Sequence, residues 1–197
     1  MNAIELLKEQ HRAILDALSE MTESGKIDDR GLRHVADQLV AHMVIEEHVF
    51  YPRSRELMED MVKEAFEEHA VARFELARAM MARGEERKPR VTVLKELLEH
   101  HIQEEEDELF PAAGDAFSDQ ELDRLGTRMQ LMFDKAVERG FEAFVMPEDQ
   151  SLRAVREQRG APRAASARKG PARRQAGASK AGGARAARGT RRGRASR

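Results

Sequence analysis

The chain of 197 residues is long enough for one domain with a packed core and a further segment. It has no cysteine, which excludes disulfides, thiolate metal sites, cysteine-held iron–sulfur clusters and cysteine nucleophiles, and no apolar run approaches the ~20 residues of a membrane span. The net charge of −2 conceals a division: residues 151–197 carry fifteen Lys/Arg and one acidic residue, whereas residues 1–150 carry 19 basic and 35 acidic residues.

Residues 2–21 read as a first helix with Asn2 as N-cap and an inward stripe of Ile4, His11, Ile14, Leu15 and Leu18. Charged residues interrupt Met1–Leu18 throughout, so no secretory leader is expected and the cytoplasm is the expected compartment. After a loop with Gly25, a second helix is expected from about Gly31 to Phe50. Its stripe runs Leu32, Val35, Leu39, His42, Glu46, Val49, and Pro52 should close it.

The third helix covers roughly Leu57 to Ala82 and carries Met58, Val62, Ala65, His69, Ala72, Leu76 and Met80 on one face. A polar turn with Pro89 precedes a fourth helix, Val91 to Phe110, whose face is Val91, Leu94, Leu98, His101, Glu105 and Leu109; Pro111 should end it. Ser118 and Glu121 form a capping box for a fifth helix with Leu122, Leu125, Met129, Met132 and Val137 inward, after which Phe141 and Phe144 pack back on the body. The expected fold is all-α: an antiparallel up-down four-helix bundle with an appended fifth helix over residues 1–146. Residues 147–197 lose nearly all large apolar side chains and are expected to be a disordered Ala/Gly/Arg-rich basic tail.

One unit is written twice. His11 is followed by His42, Glu46 and Pro52; His69 is followed by His101, Glu105 and Pro111. At about 100° per residue, residues four apart share a face, so each His-x-x-x-Glu pair projects inward on adjacent turns. A lone histidine on an apolar stripe is usually an ordinary core histidine, but a buried unpaired carboxylate is costly. Four His and two Glu on the stripes of four successive helices, nearly in register, point instead to metal ligands. Nitrogen and oxygen donors without sulfur suit iron, manganese or zinc.

These residues carry a resemblance to the hemerythrin-like, or HHE cation-binding, family. The matching text is Glu9-Gln10-His11, then His42 to Glu47 through Phe50-Tyr51-Pro52, then Glu67-Glu68-His69, and His101 to Glu105 through Leu109-Phe110-Pro111. The resemblance covers about residues 1–140 and implies a non-haem di-iron centre in the bundle core. It further implies that His11 and His42 bind one iron, His69 and His101 the other, and that Glu46 and Glu105 bridge them. Oxygen-carrying members have another histidine four residues after the position of His69, where this chain has Arg73. They also place an acidic residue at the position of Glu106; Glu105 is preferred here because it repeats Glu46 and stays on the stripe. Ferritin-like di-iron proteins use Glu-x-x-His, and no histidine here has a glutamate three residues before it.

The function expected from the resemblance is binding of metal and a small ligand: oxygen, or iron and oxidants as sensed species. The alternatives are a di-iron enzyme acting on peroxide or nitric oxide, or a DNA-associated stress protein. No dedicated acid–base pair or substrate pocket can be read from the sequence, which favours a binding module over an enzyme. His34, His48 and His100 lie off the stripes and read as solvated, as do Glu47, Glu104, Glu106 and Asp107, some of which could orient ligands. The arginines and lysines of residues 158–197 could neutralise phosphates without reading sequence, since no aromatic residue is there to stack on bases. No membrane partner is expected, and oligomeric state is open.

Overall fold

The computed structural model describes residues 1–145, and all the elements among them are helical. The expected basic tail, 147–197, lies outside the described residues.

Helix α1 (Ala3–Ser24) begins where Asn2 accepts from the Glu5 N–H while Glu5 reaches back to the Asn2 N–H, and ends at Gly25 in the left-handed conformation (φ 66°). Leu7, fully buried, leads its inward stripe, while Ile4 is only partly buried. Helix α2 (Asp29–Ile45) starts on the Asp28 carboxylate, which accepts from the N–H groups of Arg30 and Gly31. A π turn, Glu46–Phe50, follows without a break, then α3 (Tyr51–Ser54). Helix α4 (Glu59–Met81) leads through a short 3₁₀ turn, Gly84–Glu86, to α5 (Arg87–Glu104), a second π turn, Glu105–Leu109, and α6 (Phe110–Ala116). Helix α7 (Asp119–Arg139) has the expected Ser118/Glu121 capping box, and α8 (Glu142–Val145) is one turn.

Two expected boundaries are corrected. Pro52 and Pro111 do not end their helices. A proline inside an α-helix removes one hydrogen bond and its ring strikes the carbonyl four residues back. Here the wider π turn ends two residues before each proline, and the chain continues helically to Ser54 and Ala116. At the start of the fourth helix, Pro89 sits inside the first turn of α5, where no donor is required.

Helices α1, α2, α4 and α5 form the bundle: α1 packs on α2 and α5, and α4 on α5 and α2. Helix α7 covers α1 and α2. The approach of α7 to the start of α1 depends on Gly126, where a Cβ would lie 2.5 Å from the Met1 carbonyl oxygen. Phe141 is buried and Phe144 partly so, with the Arg33 guanidinium 4.8 Å above the Phe141 ring.

The core has two apolar clusters. One holds Ile14, Leu18, Leu39, Met43, Leu76, Leu94 and Leu98; the other holds Leu7, Ile45, Val49, Phe50, Val62, Leu109 and Phe110. Each cluster joins the N-terminal part of one helix to the C-terminal part of the next, as an up-down bundle requires. The two clusters flank a single polar layer supplied by all four bundle helices.

Candidate metal centre

The polar layer consists of the six residues singled out by the repeat. His11, His42, Glu46, His69, His101 and Glu105 have exposures between 0% and 3%, on helices that bury little else that is polar. Each stands between apolar neighbours of its own stripe, so packing of the two clusters fixes the six side chains towards one another. Ligand atoms of His11, His42, Glu46 and Glu105 lie within 4.8 Å of each other, and so do those of Glu46, His69 and His101. Glu46 belongs to both groups, and Glu105 lies 3.3 Å from His11 Nε2 and 3.5 Å from His101 Nε2. Both carboxylates therefore stand between the two pairs of imidazoles.

The outer nitrogens of the imidazoles are all engaged. The Nδ1 atoms of His11, His42, His69 and His101 donate to Glu106 (2.9 Å), Gln10 (2.9 Å), Glu47 (3.0 Å) and Glu68 (2.8 Å). Such donation fixes each ring and turns Nε2 inward, where it can hold either a proton or a metal ion, the arrangement of metal-ligating histidines. The pattern follows the repeat. The residue before each first-helix histidine holds the histidine of the next bundle helix, and the residue after each glutamate holds a histidine of the other half. Glu47 and Glu106, expected as solvated, are thus half-buried acceptors with a positioning role; Gln10 and Glu68, to which the sequence reading gave no role, complete the set.

Several polar atoms inside the layer lack partners. His11 Nε2, His42 Nε2, both Glu46 oxygens and Glu105 Oε2 are buried without a hydrogen-bond partner. Burial pulls the His11 pKa down, but the carboxylates of Glu105, Glu106 and Glu46 outweigh it and raise it well above the ordinary imidazole value. His69 is likewise opposed by burial yet lifted to about 9 by Glu46 and Glu47. Burial lowers His42, and Glu46, which burial alone would raise, is held well below the ordinary carboxylate range by His42, His11 and His69. The site attracts positive charge, and protons on His11 and His69 supply it where nothing else does. Buried nitrogen and carboxylate donors converging from four helices fit a transition-metal cation, or a pair bridged by carboxylates.

Tyr51 is a further member that the sequence reading did not place. Its fully buried hydroxyl donates to Glu105 Oε1 at 2.7 Å and lies 3.3 Å from His69 Nε2. Burial, then the charges of Glu105 and Glu46, push its pKa well above the phenol value. Its counterpart in the other half is Phe110, stacked 5.6 Å from His11, so the two halves differ at this position. Arg73 stays outside the layer and pairs with Glu47 at 2.8 Å, behind His69. His34, His48 and His100 are exposed, as expected.

Comparison with known proteins gives the same picture of the fold. The family model described as the hemerythrin HHE cation binding domain matches residues 2–113. A hemerythrin HHE cation binding domain-containing protein from Mycobacterium kansasii, known as a crystal structure, superposes with a TM-score of 0.62 at 24% identity, covering 71% of this chain and 89% of its own. No curated protein matches the chain. Among the described residues, no helix is long and apolar enough to cross a membrane.

Proposed function

The chain belongs to the hemerythrin HHE cation-binding domain family, and from that premise we propose that it is a non-haem di-iron protein that binds a small ligand, oxygen or an oxidant, in the bundle core. In this reading His11 and His42 hold one iron and His69 and His101 the other, with Glu46 and Glu105 between them. The observation that carries it is the buried layer of inward imidazole nitrogens and carboxylate oxygens, in which five atoms have no hydrogen-bond partner and every imidazole is oriented by an outer acceptor. Leaving such groups buried and unpaired is costly, and bound cations would satisfy them.

When bound, iron would supply Lewis acidity and one-electron chemistry. The chain's own residues do the rest. Glu106, Gln10, Glu47 and Glu68 orient the rings. The apolar clusters on both sides keep bulk water from the layer. Tyr51 holds Glu105 through a hydroxyl proton and offers a phenol oxygen to the His69/His101 side, in a half where Arg73 replaces a further imidazole. The same hydroxyl favours the second reading, turnover of peroxide or nitric oxide, because it is a buried proton donor beside the site.

The two readings separate on exposure of reduced, iron-loaded protein to oxygen and then to peroxide. A stable adduct that reverses on removal of oxygen, or a single oxidation event per chain, supports binding or sensing. Sustained consumption of peroxide over many equivalents overturns it in favour of the enzyme. Residues 158–197 add a separate expectation: salt-sensitive, sequence-independent contact with nucleic acid, resting on their charge alone.

A further inference from the structure

The second half of the repeat contains another His-x-x-x-Glu pair, displaced by one residue. His100 and Glu104 directly precede His101 and Glu105, so they sit about 100° around the helix from the inward pair and face outward. The side chain of His100 is 68% exposed, and its Nε2 lies 3.4 Å from Glu104 Oε1. Glu68, from α4, joins them: one ligand atom from each of Glu68, His100 and Glu104 fall within 4.8 Å of one another. The corresponding positions of the first half are Gln10, Ala41 and Ile45, the last two buried in the core. The outer triad therefore breaks a symmetry that the inner ligands keep.

Two further features tie this triad to the buried layer. Glu68 belongs to both, since its Oε2 accepts from His101 Nδ1 at 2.8 Å. A cavity of about 240 Å³ opens between α4 and α5, bordered by Glu64, Glu67, Glu68 and His100 and reaching the rings of His69 and His101, which are 1% and 3% exposed. The cavity thus leads from a cluster of three glutamates and an imidazole to the histidines of one half-site.

We propose that Glu68, His100 and Glu104 form an outer site for a divalent first-row transition-metal ion, which it captures from solvent and passes through the α4/α5 cavity to the His69/His101 half of the buried centre. The relay rests on the di-iron reading; the outer site does not. Two carboxylates and one imidazole match the oxygen and nitrogen preference of Fe(II). Exposure to water makes the site weak and exchangeable, as a transfer site must be. It holds the ion through charge, and a charged funnel raises capture rates by about 10- to 1,000-fold.

The test uses the full chain and Fe(II) under anaerobic conditions, comparing wild type with the double variant His100→Ala/Glu104→Ala. His100 is exposed and Glu104 partly exposed, and neither belongs to the buried layer. Equilibrium dialysis separates weakly from tightly held iron, and stopped-flow absorption follows filling of the inner centre. The proposal expects wild type to hold one more weakly bound Fe(II) per chain than the variant. It also expects the variant to load its inner centre about tenfold more slowly, at the low end of the steering range, with the same final tight stoichiometry. Equal weak binding and equal loading rates overturn the proposal. So does a loss of tightly held iron in the variant with its weak binding intact, because His100 and Glu104 would then serve the inner centre. No tightly held iron in either protein, with the weak ion still lost from the variant, contradicts the di-iron reading while supporting the outer site.

Discussion

Tyr51→Phe removes one oxygen from the centre of the molecule and keeps the ring that packs against Phe66 and His69. In chelator-treated protein the hydroxyl makes a 2.7 Å hydrogen bond to Glu105, whose other oxygen is buried without a partner. A hydrogen bond to a charged group contributes about 1.5–3 kcal/mol. In a chain of this size each kcal/mol moves Tm by about 2–4 °C, so the variant should melt roughly 3–12 °C lower. Scanning calorimetry at neutral pH measures this directly. The iron-loaded, oxidised form gives a second readout: if the phenol oxygen reaches the metal, a visible absorption band present in wild type is missing from the variant. A Tm change below about 1 °C together with an unchanged visible spectrum refutes the reasoning, because the hydroxyl would then neither hold Glu105 nor approach a metal.

Four further outcomes are expected. Because carboxylates hold His11 and His69 protonated above the usual imidazole range, metal must displace those protons; loading at pH 7 should release about two protons per chain, and apparent affinity should climb as pH rises from 6 towards 9. Titration calorimetry in buffers of different ionisation enthalpy counts them, and a pH-independent affinity would contradict the charge account. In chelator-treated protein the raised pKa of His69 gives a stabilisation that is full below about pH 6.5 and fades as pH climbs through about 9, so Tm should fall on the alkaline side of that window. Glu105→Ala should lose tightly held iron outright, whereas Glu106→Ala, which only frees His11 Nδ1, should weaken affinity by about 10- to 100-fold; the reverse order in metal analysis would exchange their roles. Gly126→Ala should destabilise the fold by about 1–3 kcal/mol, seen in urea unfolding, since its Cβ meets the backbone of Met1–Ala3 rather than a movable side chain.

The bundle and the six-residue layer were legible because apolar spacing by three and four is a direct consequence of helix geometry, and the four histidines and two glutamates ride on that spacing. His42 and Glu46 could be placed from Leu39 and Val35, and His101 and Glu105 from Leu98 and Leu94. The π turns were not legible. Each opens at the inward glutamate and needs five residues where an α turn needs four, which shifts the phase of everything after it. Tyr51 lies five residues after Glu46, one turn further along a π helix, and so faces the layer, although an α-helical count turns it aside. The signal was the proline six residues after each glutamate, which a regular α-helix would not carry in its interior without a kink or a break. The outer acceptors were hidden for another reason. Gln10, Glu47, Glu68 and Glu106 sit beside one of the six residues on their own helix, but each holds a histidine on another, a pairing that no single-helix periodicity contains.

Iron stoichiometry tests the buried centre most directly. The 197-residue chain, loaded anaerobically with Fe(II) and freed of weakly held metal, should retain two irons per chain, and the same procedure on His42→Ala should retain fewer with the helical content unchanged. Failure of wild type to retain stoichiometric iron, or full retention by His42→Ala, would contradict the assignment of the buried His/Glu layer as a di-iron centre.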